Sequence, residues 1–201
     1  ICACLVGSEM CIRDRDSMVI ATPFDAPRAF YYNQKINCMP ASGVMTLGSR
    51  RFEFAPETSF GTLDWGRGVW TYDNTWYWGN GNGIVNGKPF GFNIGYGFGN
   101  TSAASENLLL YGGVAHKLSR VQFNIPEESF LKPWTFSSDD GRFEMDFVPV
   151  IDRVARTNAL IIESDQHQVF GRFTGRAVLD DGTPLELKDF LGFAEKVRNR
   201  Y

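Results

Sequence analysis

The chain has 201 residues, a formal net charge of −3 and 43% hydrophobic residues. That is enough for one sizeable core, and with neither a basic stripe nor an acidic tail in the sequence, nucleic acid is not an expected partner. No apolar run in the sequence approaches the ~20 residues of a membrane-spanning helix.

The first fifteen residues stand apart. Leu5–Asp14 reads LVGSEMCIRD and resembles a translated sequencing adapter. Ile1–Gly7 is too short for a signal peptide and lacks a basic leader. Three of the four cysteines also fall here, and only Cys38 lies beyond them. The remainder therefore has no disulfide framework, which fits a reducing, cytoplasmic compartment. Residues 1–15 are set aside as non-native, and 16–201 are expected to form one β-barrel-like domain whose N-terminal half is missing.

Residues 16–28, with Pro23 and Pro27, read as a loop. Ala29–Met39 is rich in aromatic and β-branched residues and reads as a strand. Val44–Leu47 and Arg51–Phe54 follow as a hairpin, with Phe52 and Phe54 alternating with charges as in a half-buried strand. Phe60–Gly99 then holds eleven of the twenty-one glycines and four of the five tryptophans. Trp76 and Trp78 share one strand face, with Tyr77 on the other. Asn80-Gly81-Asn82-Gly83 and Asn86-Gly87 are hairpin signals, because these residues tolerate positive φ. Phe90, Phe92, Ile94, Tyr96 and Phe98 recur at period two opposite a nearly bare face of Gly91, Asn93, Gly95, Gly97 and Gly99. A strand built that way is sharply coiled or lies directly against another group.

Leu108–Ile125 reads as a hairpin through Gly112-Gly113, and Trp134–Val148 as another through Asp139-Asp140-Gly141. Pro149–Asn158 reads as a loop and Ala159–Leu179 as one long or two short strands. Asp180-Asp181-Gly182 turns the chain back. Leu187, Phe190, Leu191, Ala194 and Val197 fall at helical spacing, which predicts an amphipathic C-terminal helix. The expected fold is all-β and mainly antiparallel: a lipocalin-like β-barrel or a strongly coiled meander with that short helix.

The segments LDWGRGVW (63–70), WYWGNGNG (76–83), FGFNIGYGFGNTSAASEN (90–107), DGRFEMDF (140–147) and SDQHQVFGRFTG (164–175) are co-linear. Together they resemble the bacterial family catalogued as domain of unknown function 2804, over about residues 20–201. Members of that family are longer, so the resemblance implies an N-terminally incomplete chain. A fainter, fold-level similarity to two-barrel lipocalin-like proteins implies that this chain supplies one barrel of a pair.

Among single residues, Asp64 and Arg67 flank Trp65 and Gly66. The structural reading is a tight loop closed by their ion pair. The functional one has Arg67 grip a polar head group while Trp65 and Trp70 cover an apolar body. His167 shares its strand face with Val169 and Phe173, so it points inward if that face is core, either as a satisfied core residue or as an acid–base group. His116 reads as surface or rim. Trp76, Trp78, Asn93 and Tyr96 either fill a core or line a pocket. The paired aspartates precede glycine and read as turn residues. Histidine spacing predicts no metal site, and no cofactor motif is present.

The expectation is a protein that binds a small, mainly apolar ligand with one polar group. Its catalytic version is cofactor-free acid–base chemistry (hydration, isomerisation or cyclisation), with His167 or Asp64 moving the proton and Arg67 stabilising negative charge. The alternatives are a non-catalytic carrier or sensor, and an interaction module.

Overall fold

The computed structural model describes residues 15–201; the adapter-like segment Leu5–Asp14 lies outside the described residues. Among the described residues every regular element is a β-strand, and all pairings are antiparallel. The strands are β1 (Met18–Pro23), β2 (Phe30–Pro40), β3 (Gly43–Leu47), β4 (Arg50–Phe54), β5 (Phe60–Val69), β6 (Asp73–Val85) and β7 (Lys88–Tyr96). They continue as β8 (Leu108–Tyr111), β9 (Val114–Lys117), β10 (Val121–Asn124), β11 (Trp134–Ser138), β12 (Phe143–Ala159), β13 (Ile162–Val178) and β14 (Pro184–Arg200).

Two meanders, β6 to β9 and β10 to β14, are stitched into one nine-stranded sheet because the last strand pairs with β6. The sheet curls into a half-barrel, bringing Phe123 of β10 against Tyr77 and Tyr96 of β6 and β7. Its inner face is filled by rings: Phe90, Phe92, Phe136, Phe143, Phe147, Phe173 and Trp134 are fully buried. A smaller sheet, in the order β1-β2-β5, lies on the outer face of β6 and β7, and β3–β4 forms a separate exposed hairpin.

Glycine positions explain how the layers fit. A methyl group at Gly81 would lie 2.7 Å from the Phe92 ring and 3.0 Å from Phe190, so the core rings rest on bare backbone there. On the outer face, a methyl at Gly91 would meet Cys38 Sγ at 2.8 Å. The bare face of β7 is therefore where β2 docks. Asn37 Nδ2 donates to Asn80 Oδ1 (3.1 Å), Asn82 Oδ1 (3.0 Å) and the Phe92 carbonyl (3.1 Å). A β-bulge, with Asn37 and Cys38 of β2 set against Thr62 of β5, aims both residues at the larger sheet.

Several expectations are corrected. The C-terminal segment is the strand β14, not a helix. Lys188 and Asp189 stand against the single residue Thr174, and this bulge lengthens the apolar spacing from two to three. Leu187, Phe190 and Ala194 face the core across the bulge, while Leu191 is 60% exposed. The helical spacing was a bulged strand.

Asn80-Gly81-Asn82-Gly83 is strand interior, its amides taken up in the buried network with Asn37, and only Asn86-Gly87 (φ 49° and 76°) makes the turn. Residues 18–23 and all of 149–158 are strand rather than loop. The half-buried reading of Phe52 and Phe54 also fails, because among the described residues no layer covers their hairpin and both rings are 40% exposed. The two Asp-Asp-Gly segments are turns, with Gly141 and Gly182 at φ 66° and 84°.

Candidate functional site

Strand parity builds the site. On β2, Tyr31, Asn33 and Lys35 project from one face at intervals of two, and the β2–β5 register sets Asp64 directly opposite Lys35. Trp76 and Trp78 project from the outer face of β6, and Glu195 and Gln168 come from β14 and β13. These groups line a cleft of about 360 Å³ between the two sheets, together with Trp70, Phe98 and Glu106.

Phe98 is the hub of the apolar wall. Its ring centroid lies 4.9 Å from Tyr31, 5.2 Å from Trp76 and 5.6 Å from Trp70. Period-two counting had put Phe98 on the core face with Tyr96. Instead β7 ends at Tyr96, and Gly97 at φ 96° swings the chain so that Phe98 crosses to the outer face. The indoles are held from behind. Trp78 Nε1 donates to Asn93 Oδ1 (2.8 Å) and Trp76 Nε1 to Glu195 Oε1 (3.0 Å).

Lys35 is the cleft's cation. It is 6% exposed, its Nζ lies 2.5 Å from Asp64 Oδ1, and it sits 3.9 Å from the centroid of the Trp78 ring. An ammonium this buried needs such partners, and the ring face supplies the second of them. Two further carboxylates belong to the cleft. Glu195 accepts from Trp76 and from Gln168 Nε2 (3.0 Å), and Glu106 accepts from Asn93 Nδ2 (3.2 Å). Burial pushes both carboxyls above the usual glutamate range, opposed by their hydrogen bonds and by Lys35 and reinforced by the charge on Asp64. Burial, aided by Asp64, also lifts the Tyr31 phenol to about 12.

Of the residues singled out from sequence, Asp64, Trp70, Trp76 and Trp78 meet in this cleft, with Asn93 directly behind it. Arg67 and Trp65 do not. Asp64 and Arg67 are three apart on a strand and so point to opposite faces; no tight loop joins them. Trp65 is 45% exposed and packs edge-on against Tyr32 at 6.0 Å. Tyr96 stacks on Tyr77 at 4.6 Å on the inner side of the curled sheet.

His167 does point inward, but on the side of the sheet opposite the cleft-lining Gln166 and Gln168. Its ring stacks on Phe130 at 3.9 Å, with Nδ1 2.7 Å from Asp152 Oδ2 and Nε2 3.1 Å from Arg156 Nη2. Both ring nitrogens are thus occupied within the fold. The other histidine, His116, meets Asp180 at 3.3 Å beside the turn.

Sequence reasoning missed Lys35, Glu106 and Glu195. Lys35 was findable from the alternation Tyr31, Asn33, Lys35. Glu195 was hidden by the helical reading of its strand, and Glu106 lies in the irregular stretch between β7 and β8, where no period operates. Among the described residues no group of three His, Cys, Asp or Glu side chains is placed to hold a metal ion, and no helix is long and apolar enough to cross a membrane.

No curated protein and no solved structure matches the chain. The family model described as Domain of unknown function (DUF2804) matches residues 9–201. On that match, which spans nearly the whole length, the chain belongs to the DUF2804 family.

Proposed function

We propose that this protein binds a small, mainly apolar molecule bearing one polar group in the cleft between the small sheet and the curled sheet. The observation that carries the reading is the placement of Lys35. A strand whose neighbours pack on glycine and asparagine buries an ammonium at the wall of a cleft, against Asp64 and the Trp78 ring. A buried ion pair is a costly way to fill space. Rings around a few convergent polar groups are the usual make-up of a small-molecule pocket.

The catalytic version of the reading is cofactor-free acid–base chemistry. Asp64 is the base in the cleft, and Lys35 takes the charge-stabilising place expected of Arg67. Glu106 and Glu195, whose pKa values burial raises, are the groups placed to supply the acid. A carrier uses the same walls without turnover. Trp65, Phe30 and Tyr32, exposed on the far side of the small sheet, favour a second role for that face as a contact surface for another protein segment.

Native mass spectrometry of the full chain, purified without denaturant, tests the binding. The expected result is a small-molecule adduct that disappears in both Trp70→Ala and Asp64→Asn. An adduct that survives both substitutions in folded protein places the ligand elsewhere and sinks the reading.

A further inference from the structure

The charges and hydrogen-bonding groups around the cleft specify what kind of polar group the ligand carries. One ammonium, Lys35, faces three carboxylates: Asp64, Glu106 and Glu195. Lys35 is committed to Asp64 and the Trp78 ring. The direct partners of the other two carboxylates are neutral: an indole N–H and a glutamine amide on Glu195, and an asparagine amide on Glu106. Asn33 adds a further acceptor. It lines the cleft, is 3% exposed, and its side-chain carbonyl oxygen has no hydrogen-bond partner among the described residues. Among the described residues the cleft's lining therefore carries three carboxylates to one ammonium, with a further acceptor free at Asn33.

An anionic head group would have to displace Asp64 from Lys35 and then sit beside two more carboxylates. A bare metal ion is also a poor match, because among the described residues no three acidic or histidine side chains converge on one point. The carboxylates are instead spread around an aromatic wall of Trp70, Trp76 and Phe98. Ring faces and dispersed carboxylates together recognise an organic cation with N–H donors.

We propose that the ligand's polar group is a protonated amine, held by Glu195, Glu106 and Asp64 while its apolar body lies on Trp70, Trp76 and Phe98. This rests on the cleft being the ligand site, as argued under the proposed function.

Calorimetric titration of the full chain with three nearly isosteric probes tests it: 2-phenylethylammonium, 2-phenylethanol and 3-phenylpropionate. The amine is expected to bind about tenfold or more tighter than either of the others. Asp64→Asn and Glu195→Gln, each checked for folding by its thermal melt, should bring the amine-to-alcohol ratio towards one. Alcohol or propionate binding as tightly as the amine overturns the amine assignment and leaves the cleft reading standing. A ratio unchanged in both folded variants also overturns it, by removing these carboxylates from recognition. Failure of all three probes to bind overturns the cleft reading and this inference together.

Discussion

Lys35 and Asp64 stand opposite one another across the β2–β5 ladder, with ammonium and carboxylate 2.5 Å apart. The two are unequally buried, at 6% and 40% side-chain exposure, so their removal should not be symmetrical. Asp64→Asn strands a buried ammonium beside the Trp78 ring and is expected to cost about 2 kcal/mol or more. Lys35→Met removes the charge that is hard to bury and leaves a carboxylate that water can reach, at about 1 kcal/mol or less. Urea unfolding of the two variants gives the ordering; a larger loss for Lys35→Met would contradict it.

A second expectation concerns the seam between the sheets. A methyl at Gly91 would lie 2.8 Å from Cys38 Sγ and 3.0 Å from Asn82 Oδ1. Cys38 is itself held at φ 57° by the β2 bulge and cannot easily withdraw. Gly91→Ala should therefore destabilise by about 2 kcal/mol through overpacking. In a Cys38→Ala background the same substitution should cost less by about 1 kcal/mol, because the sulfur is the nearest obstacle. A double-mutant cycle measured by denaturant unfolding reads the coupling. Strict additivity would mean that β2 can shift away from β7 freely.

The all-β class, the hairpins at Asn86-Gly87, Gly112-Gly113 and the two Asp-Asp-Gly turns, and the ring face of β7 were all legible from residue order, because period two and positive φ are local properties. Whatever a bulge or a third layer decides was not legible. Nothing local distinguishes Asn80 and Asn82 in a buried amide network from the same residues in a turn; the deciding partner, Asn37, lies forty-three positions from Asn80. Asp64 and Arg67 look paired when written side by side, yet strand pleating separates them and supplies Lys35 from twenty-nine residues upstream. The site was half visible for the same reason. Its tryptophans cluster in sequence, whereas its charges are assembled from β2, β5, β14 and the stretch before β8.

Glu195 gives a pH dependence. It is 4% exposed, and burial raises its pKa above the usual 4.5, against the hydrogen bonds from Trp76 and Gln168 and the charge of Lys35. A carboxyl raised in the folded state contributes stability that is fully present below its unfolded pKa and is lost as pH rises through its folded value. Glu195→Gln cannot ionise, so its melting temperature should fall less than that of the unsubstituted chain between about pH 4.5 and neutrality. Thermal melts in one buffer series test this. Parallel curves would show that water reaches the carboxylate.

The bulge in β14 can be tested by removing it. Lys188 and Asp189 face the single Thr174, and Asp189 sits at φ 51° with its N–H donated to Thr174 Oγ1 at 3.1 Å. Deleting Asp189 restores a spacing of two between Leu187 and Phe190, so the strand alternates regularly and Leu185 and Leu187 keep their places in the core opposite Ala177 and Gly175. What is lost is the hydrogen bond to Thr174 Oγ1 and the extra local twist of the bulge, at about 1 kcal/mol. The deletion variant is therefore expected to fold and to melt only a few degrees below the unsubstituted chain. Asp189→Gly keeps the bulge and relieves the left-handed backbone, so it should hold or raise stability by up to about 1 kcal/mol. Circular dichroism melts of the two variants separate a required bulge from an incidental one. A deletion variant that melts far below the parent, or does not fold, would show that the curvature supplied by the bulge is required.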